Sequence, residues 1–158
     1  MPLIDTIRAN WEAAVRNRCR ESGCALTMGG VPRHVILKGE ELVDEGKACD
    51  CVIIIVDAQR VVVALVELKS GSLDPDDIGK QLAGGWDGCR RVLQESSVRE
   101  EDCDVFPILL AKSYSGRTEL RKLMGARVHV CGCALPITRG KCGEDLMSLI
   151  AKSTRAPQ

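Results

Sequence analysis

CDCVIIIVDAQRVVVALVELKS, residues 49–70, holds two β-branched apolar runs separated by a single polar break. Residues 52–56 and 61–66 are almost all Val and Ile, which suits adjacent strands. Asp57-Ala58-Gln59-Arg60 between them predicts an antiparallel hairpin. With Ala58 and Gln59 as a two-residue turn, Asp57 faces Arg60 and, counting outward, Asp50 faces Glu67. Side chains alternate along a strand, so Asp50, Glu67 and Lys69 share one face. Strands apolar on both sides belong in the middle of a covered sheet. Two carboxylates at the mouth of such a pair repel each other and lose hydration unless they share a cation. Magnesium or manganese suits oxygen ligands of this kind. Lys69 is then placed to stabilise an attacking hydroxide or a developing phosphate charge. The plainer alternative is a strand that ends at solvent with Glu67 and Lys69, and an Asp50 that belongs to a turn.

The order Asp50, strand pair, Glu67-Leu68-Lys69 and then Gln81 on a following helix resembles the PD-(D/E)xK nuclease superfamily. That group includes many restriction enzymes, archaeal Holliday-junction resolvases and RecB-like nucleases. The resemblance covers residues 3–133 in element order as well as motif, with Cys49 where the family's name has proline. It implies a restriction endonuclease-like αβββαβ core, a mixed central β-sheet flanked by helices. It also implies that Asp50 and Glu67 ligate Mg2+ or Mn2+, that Lys69 assists the attacking water, and that Gln81 supports the site from the helix. The family's acidic residue on the first helix corresponds to Glu12 or Glu21, with Glu12 beside Trp11 the preferred third ligand. A solvated helix face is the alternative for either.

Composition sets the frame around this motif. The chain has 158 residues with 45% hydrophobic content, enough for one domain with a sizeable core. We expect a single domain over residues 1–153 and a disordered tail over 154–158. Basic and acidic residues number 22 each, so net charge lends no support to a nucleic-acid partner by itself. No apolar run is long enough to span a bilayer, and MPLIDTIRAN has no hydrophobic signal core. Nine cysteines without such a signal predict reduced thiols in the cytoplasm rather than a disulfide framework. Cys131-Gly132-Cys133 with Cys142 falls short of a four-ligand cluster, and buried cysteine serves freely as a small apolar residue.

Along the chain, Ile4, Ile7, Trp11 and Val15 recur at helical spacing and predict a helix over 3–22, stopped by Gly23. Residues 34–38 predict a short strand. Glu40, Glu41, Asp44 and Glu45 then read as a solvated edge lying away from any phosphate. Asp74 is a predicted N-cap with Pro75 at the first helical position, opening a helix to about Gln94. Ile78, Leu82, Trp86, Cys89 and Val92 form its buried stripe, and Gly84-Gly85 predicts close packing of helix on sheet. Residues 105–111 predict a strand with Pro107 early in it, 116–124 a short basic helix, 127–133 a parallel strand, and 141–152 a last helix.

The leading expectation is a metal-dependent nuclease acting on DNA through its backbone. Aromatic residues are only 3% of the chain, too few for a stacking platform on single strands or RNA. Lys112 and Arg117, flanking the loop after strand 105–111, are the preferred phosphate contacts, and a homodimer mate or larger complex would add basic surface. Two other classes stand beside it: a nuclease-fold module that binds nucleic acid or a protein partner without cleaving, and a cysteine-based metal or redox regulator.

Overall fold

The computed structural model describes residues 2–155. In chain order the elements are α1 (Leu3–Asn10), β1 (Val15–Arg16), β2 (Arg20–Glu21), β3 (Cys24–Ala25), β4 (His34–Lys38), β5 (Cys51–Asp57), β6 (Arg60–Lys69), α2 (Pro75–Glu95), β7 (Cys103–Ala111), α3 (Arg117–Gly125), β8 (Arg127–Val130), β9 (Cys133–Pro136), β10 (Thr138–Lys141) and α4 (Leu146–Arg155). The fold is mixed α/β. Its main sheet has six strands in the order β1-β4-β5-β6-β7-β10. The first four pair antiparallel, and β6-β7 and β7-β10 are parallel.

The β5–β6 hairpin takes the expected register: Asp57 pairs with Arg60 and Cys51 with Val66. Ala58 opens the turn at φ 56°. Both faces of the hairpin are buried, which explains its unbroken apolar runs. Val52, Ile54, Val63 and Leu65 pack under α1 and α2, whereas Ile53, Ile55, Ala64 and Val66 pack against α4 and the β2–β3 ribbon. Pro107 faces Leu65 on β6, and β10 begins only at the next position, Ile108, so its missing N–H interrupts no bond to β10.

Helix α2 starts as its sequence predicts. The Asp74 carboxylate accepts from the Asp76 and Asp77 amides at 3.1 and 3.3 Å, with Pro75 next to it. The glycines of α2 have a more specific task than packing on the sheet. A Cβ at Gly84 would stand 1.7 Å from the Lys47 carbonyl oxygen, and one at Gly85 2.2 Å from Cys49 Sγ. Helix α2 is therefore pressed onto the segment that leads into Asp50. An ion pair between Lys47 and Asp77 closes the same contact.

Several expectations are corrected. The first helix ends at Asn10; a 3-10 turn over Glu12–Ala14 follows, and Val15-Arg16 pairs with β4. Sheet pairing by β-branched Val15 wins over helical spacing. Ser22 and Gly23, both at positive φ, are the two-residue turn of the β2–β3 ribbon and not a helix stop. Residues 127–133 do not join the main sheet. Cys131 and Gly132, at φ 52° and 78°, turn the chain back so that β8 and β9 form their own hairpin. The parallel neighbour of β7 is β10. The last helix starts at Leu146 and includes residues 154 and 155, which were expected in the tail; 156–158, the rest of that tail, lie outside the described residues.

The cysteines also depart from the reduced-thiol expectation. Cys19–Cys51 and Cys24–Cys142 are disulfides, with Cα separations of 5.9 and 4.9 Å. The sheet brings together partners 32 and 118 residues apart, which spacing along the chain cannot reveal. Among the described residues, no helix is long and apolar enough to cross a membrane.

Candidate functional site

The site lies at the end of the β5–β6 hairpin away from its turn. Asp50 immediately precedes β5; Glu67 and Lys69 lie in the last three residues of β6. Glu67 is 1% exposed and is the one buried charged residue among the described residues. Its Oε1 accepts from the Asp50 amide at 3.0 Å, and Asp50 Oδ2 accepts from the Leu68 amide at 2.8 Å. The two carboxylates thus grip each other's strands across the ladder. Lys69 Nζ lies 3.2 Å from Glu67 Oε2. Burial pushes the Glu67 carboxyl up to about 8, and the charge of Asp50 and a hydrogen bond with it add to this against the pull of Lys69.

Asp50, Glu67, Lys69 and Gln81 all line one open cavity of about 400 Å³. Gln81 comes from the second turn of α2, and its buried side-chain oxygen accepts no hydrogen bond. The same chain of contacts explains the placement of Asp50. The glycines of α2 hold residues 47–49, Gly39 has no room for a Cβ beside the Cys49 carbonyl, and the Gly39 amide donates to the Asp50 carbonyl at 3.2 Å. Cys49 is buried here as a free thiol, and burial together with Glu67 and Asp50 pushes its pKa well up, so it stays protonated.

No family model, curated protein or solved structure matches the chain.

The remaining expected residues divide. Glu12 sits exposed in its 3-10 turn and does not line the cavity; the early end of α1 carries it off. Glu21, the other acidic candidate, does line it, but from the β2–β3 ribbon instead of a helix. Lys112 is exposed just past β7, its amide donating to the Lys69 carbonyl at 3.2 Å, and Arg117 is exposed at the start of α3. Neither lines the cavity. Sequence reasoning missed Ser22 and Ser70 on the wall and put Glu40 far from it. Glu40 is brought there by β4, whose Lys38 pairs with Cys51 beside Asp50 and holds Glu40 at 2.8 Å. The strand pattern of 34–38 was the available signal, because pairing with β5 carries its C-terminal end to the site.

The donor set bears on the metal expectation. Among the described residues, no three His, Cys, Asp or Glu side chains gather as a metal group. Two carboxylates, one of them buried, fit a magnesium-type ion, which keeps several waters and takes one or two carboxylates together with substrate phosphate oxygens. They do not fit a zinc site, which needs at least three protein ligands.

Proposed function

We propose that the chain hydrolyses phosphodiester bonds, in DNA, with Mg2+ or Mn2+ held by Asp50 and Glu67, on a restriction endonuclease-like core. The observation that carries this reading is the buried Glu67 beside Asp50 and Lys69. Such a pair is costly to bury, and a shared cation removes the cost. With the two-residue strands β1, β2 and β3 set aside, α1, β4, β5, β6, α2 and β7 follow the αβββαβ order, which supports the core assignment.

The cation, when bound, neutralises phosphate charge and acidifies water. Asp50 and Glu67 fix its place through a backbone ladder that leaves little freedom. Lys69 orients the attacking water and meets the charge that develops on the non-bridging phosphate oxygens. Water oxygen bonds to phosphorus and gives up a proton, the bond to the leaving oxygen breaks, and that oxygen takes up the proton the water has released, so that one water is consumed per bond cut. The Gln81 amide, with its side-chain oxygen unsatisfied, positions the water or the Lys69 ammonium. Lys112 and Arg117 hold the flanking backbone of the duplex, with a homodimer mate adding basic surface. We place this activity in the cytoplasm.

The second reading is a non-cleaving module on the same fold that binds nucleic acid or a protein partner. It draws on Glu21 and Glu40, which make part of the cavity wall acidic. Supercoiled plasmid incubated with Mg2+, and in parallel with chelator, separates the two. Nicked and linear DNA only in the Mg2+ sample is the expected result. Intact plasmid in both, with DNA or protein binding retained, favours the module.

A further inference from the structure

One wall of the Asp50–Glu67 cavity is covalently tied down. The β2–β3 ribbon carries Glu21 and Ser22 to the cavity and pairs only with itself in a two-stranded sheet. Both of its arms end in disulfides at the site end of the main sheet. Cys19 is bonded to Cys51, next to Asp50; Cys24 is bonded to Cys142, whose sulfur lies 3.9 Å from the Lys69 carbonyl. The two arms are otherwise held unequally. On the β3 side, Gly143 donates to the Ala25 carbonyl at 2.7 Å, Thr27 to Glu144 at 3.0 Å and Leu146 to Thr27 at 2.9 Å. On the β2 side, pairing with the main sheet stops at Arg16 and the Cys19 carbonyl accepts from the Leu26 amide at 3.0 Å, so that among the described residues Cys19–Cys51 is the tie that joins residues 17–23 to the main sheet beside the cavity.

We propose that this ribbon is a redox-held gate: reducing Cys19–Cys51 frees the β2 arm, removes Glu21 and Ser22 from the wall, and widens the cavity. That the opened cavity is a catalytic one rests on the function proposed above; the gate itself does not. A dithiol reductant supplies the chemistry. Its thiolate attacks one sulfur, the S–S bond breaks, and a second attack expels the mixed-disulfide partner. For each bond two electrons and two protons pass to the protein, giving two thiols and the reductant's own disulfide. Access sets the order. Cys19 and Cys51 are 0% and 5% exposed, whereas Cys142 is half-buried. Cys24–Cys142 therefore reduces first, with little movement because the β3 ladder remains. Cys19–Cys51 follows and releases the arm. In a reducing cytoplasm the ribbon would be released, and oxidation would return it to the cavity wall.

The test uses the full chain, oxidised in air and then exposed to graded dithiothreitol, with trapped thiols mapped by mass spectrometry and backbone hydrogen exchange followed in parallel. With thiols alkylated after acid quenching and unfolding, five trapped cysteines before reduction, out of nine, are expected. Cys24 and Cys142 should appear next, and Cys19 and Cys51 last. Exchange of the amides of residues 20–23 should rise roughly tenfold or more only at that last step, while residues 52–56 and 61–66 stay protected. Cys19→Ser, kept oxidised, should show the same ribbon exchange with Cys24–Cys142 intact; if that variant does not fold, stepwise reduction of the natural chain still decides. Nine trapped thiols in the air-oxidised chain, or ribbon exchange unchanged after full reduction, overturns the gate. Plasmid cleavage measured on the same samples judges the other proposal separately. A ribbon that opens without any Mg2+-dependent cleavage upholds the gate and counts against the nuclease.

Discussion

The two ends of the β5–β6 hairpin carry similar charges in opposite surroundings. At the turn end, Arg60 reaches across to Asp104 on β7 at 2.6 Å, with both side chains about half exposed. At the other end Lys69 meets Glu67 at 3.2 Å, with the carboxylate side chain 2% exposed. An exposed pair gains little, because water screens it and two long side chains must be ordered. A buried carboxylate beside a second one is a standing cost to the fold. The sheet tolerates that cost at one end only, and there α2 supplies two close-packed glycines, Gly84 and Gly85, and an unsatisfied amide oxygen. Charge at the turn end serves solubility and register. Charge at the cavity end is buried, and the proposed function gives it a use.

The contrast breaks most visibly in activity. Asp50→Asn, Glu67→Gln and Lys69→Ala should each lower Mg2+-dependent cleavage by about 10³-fold, the scale of losing a general base or a charge-stabilising group, with circular dichroism unchanged. Arg60→Ala should leave cleavage at its natural rate. Near-normal turnover in either carboxylate variant would erase the difference between the two ends.

Packing behind the site comes second. Gly84→Ala drives a methyl group into the Lys47 carbonyl, so denaturant unfolding should register a loss of roughly 3 kcal/mol. Gly79→Ala, on the same helix with nothing within 4 Å of its Cβ, should gain up to about 1 kcal/mol. Equal effects at the two positions would mean that α2 does not press on the segment preceding Asp50.

A third prediction concerns pH. Glu67 titrates in the metal-free fold at about 8, against about 4.3 in an unfolded chain. Between those values the folded state holds a proton that the unfolded state has released. Metal-free stability should therefore fall as pH rises through that window and level off above it. Glu67→Gln should flatten this slope and be the more stable chain at pH 8. A natural chain whose stability rises from pH 5 to 8 would contradict the burial argument.

Smaller effects sharpen the picture further. Gln81→Ala should slow cleavage roughly tenfold without abolishing it, since an amide orients groups but does not replace a carboxylate ligand. Arg60→Ala should leave the thermal midpoint within experimental scatter.

Much of this organisation was legible in the chain, and the reasons differ by element. The hairpin declared itself because β-branched residues and a four-residue polar break admit one register, and that register alone pairs Asp50 with Glu67. Asp74-Pro75 announced α2 through a local cap. Residues 11–25 misled, because Trp11 and Val15 continue a helical spacing that pairing with β4 overrides. Residues 127–136 misled for a related reason: Cys131-Gly132 is a tight turn whose positive φ values are unremarkable in a composition reading. The disulfides were hidden because their partners meet only in the folded sheet. Glu40 and Glu21 were hidden likewise, carried to the cavity by β4 and by a ribbon that looked like the end of a helix.

The Asp50–Glu67 pair makes one demand that needs no substrate. Calorimetric titration of Mn2+ into the chain at pH 7, repeated in buffers of different ionisation enthalpy, measures binding and proton release together. A single site should appear, releasing a proton as the cation displaces the one held by Glu67, and Glu67→Gln should lose both the affinity and the proton. No binding, or binding undiminished in the Asp50→Asn and Glu67→Gln chains, would contradict a metal role for this pair.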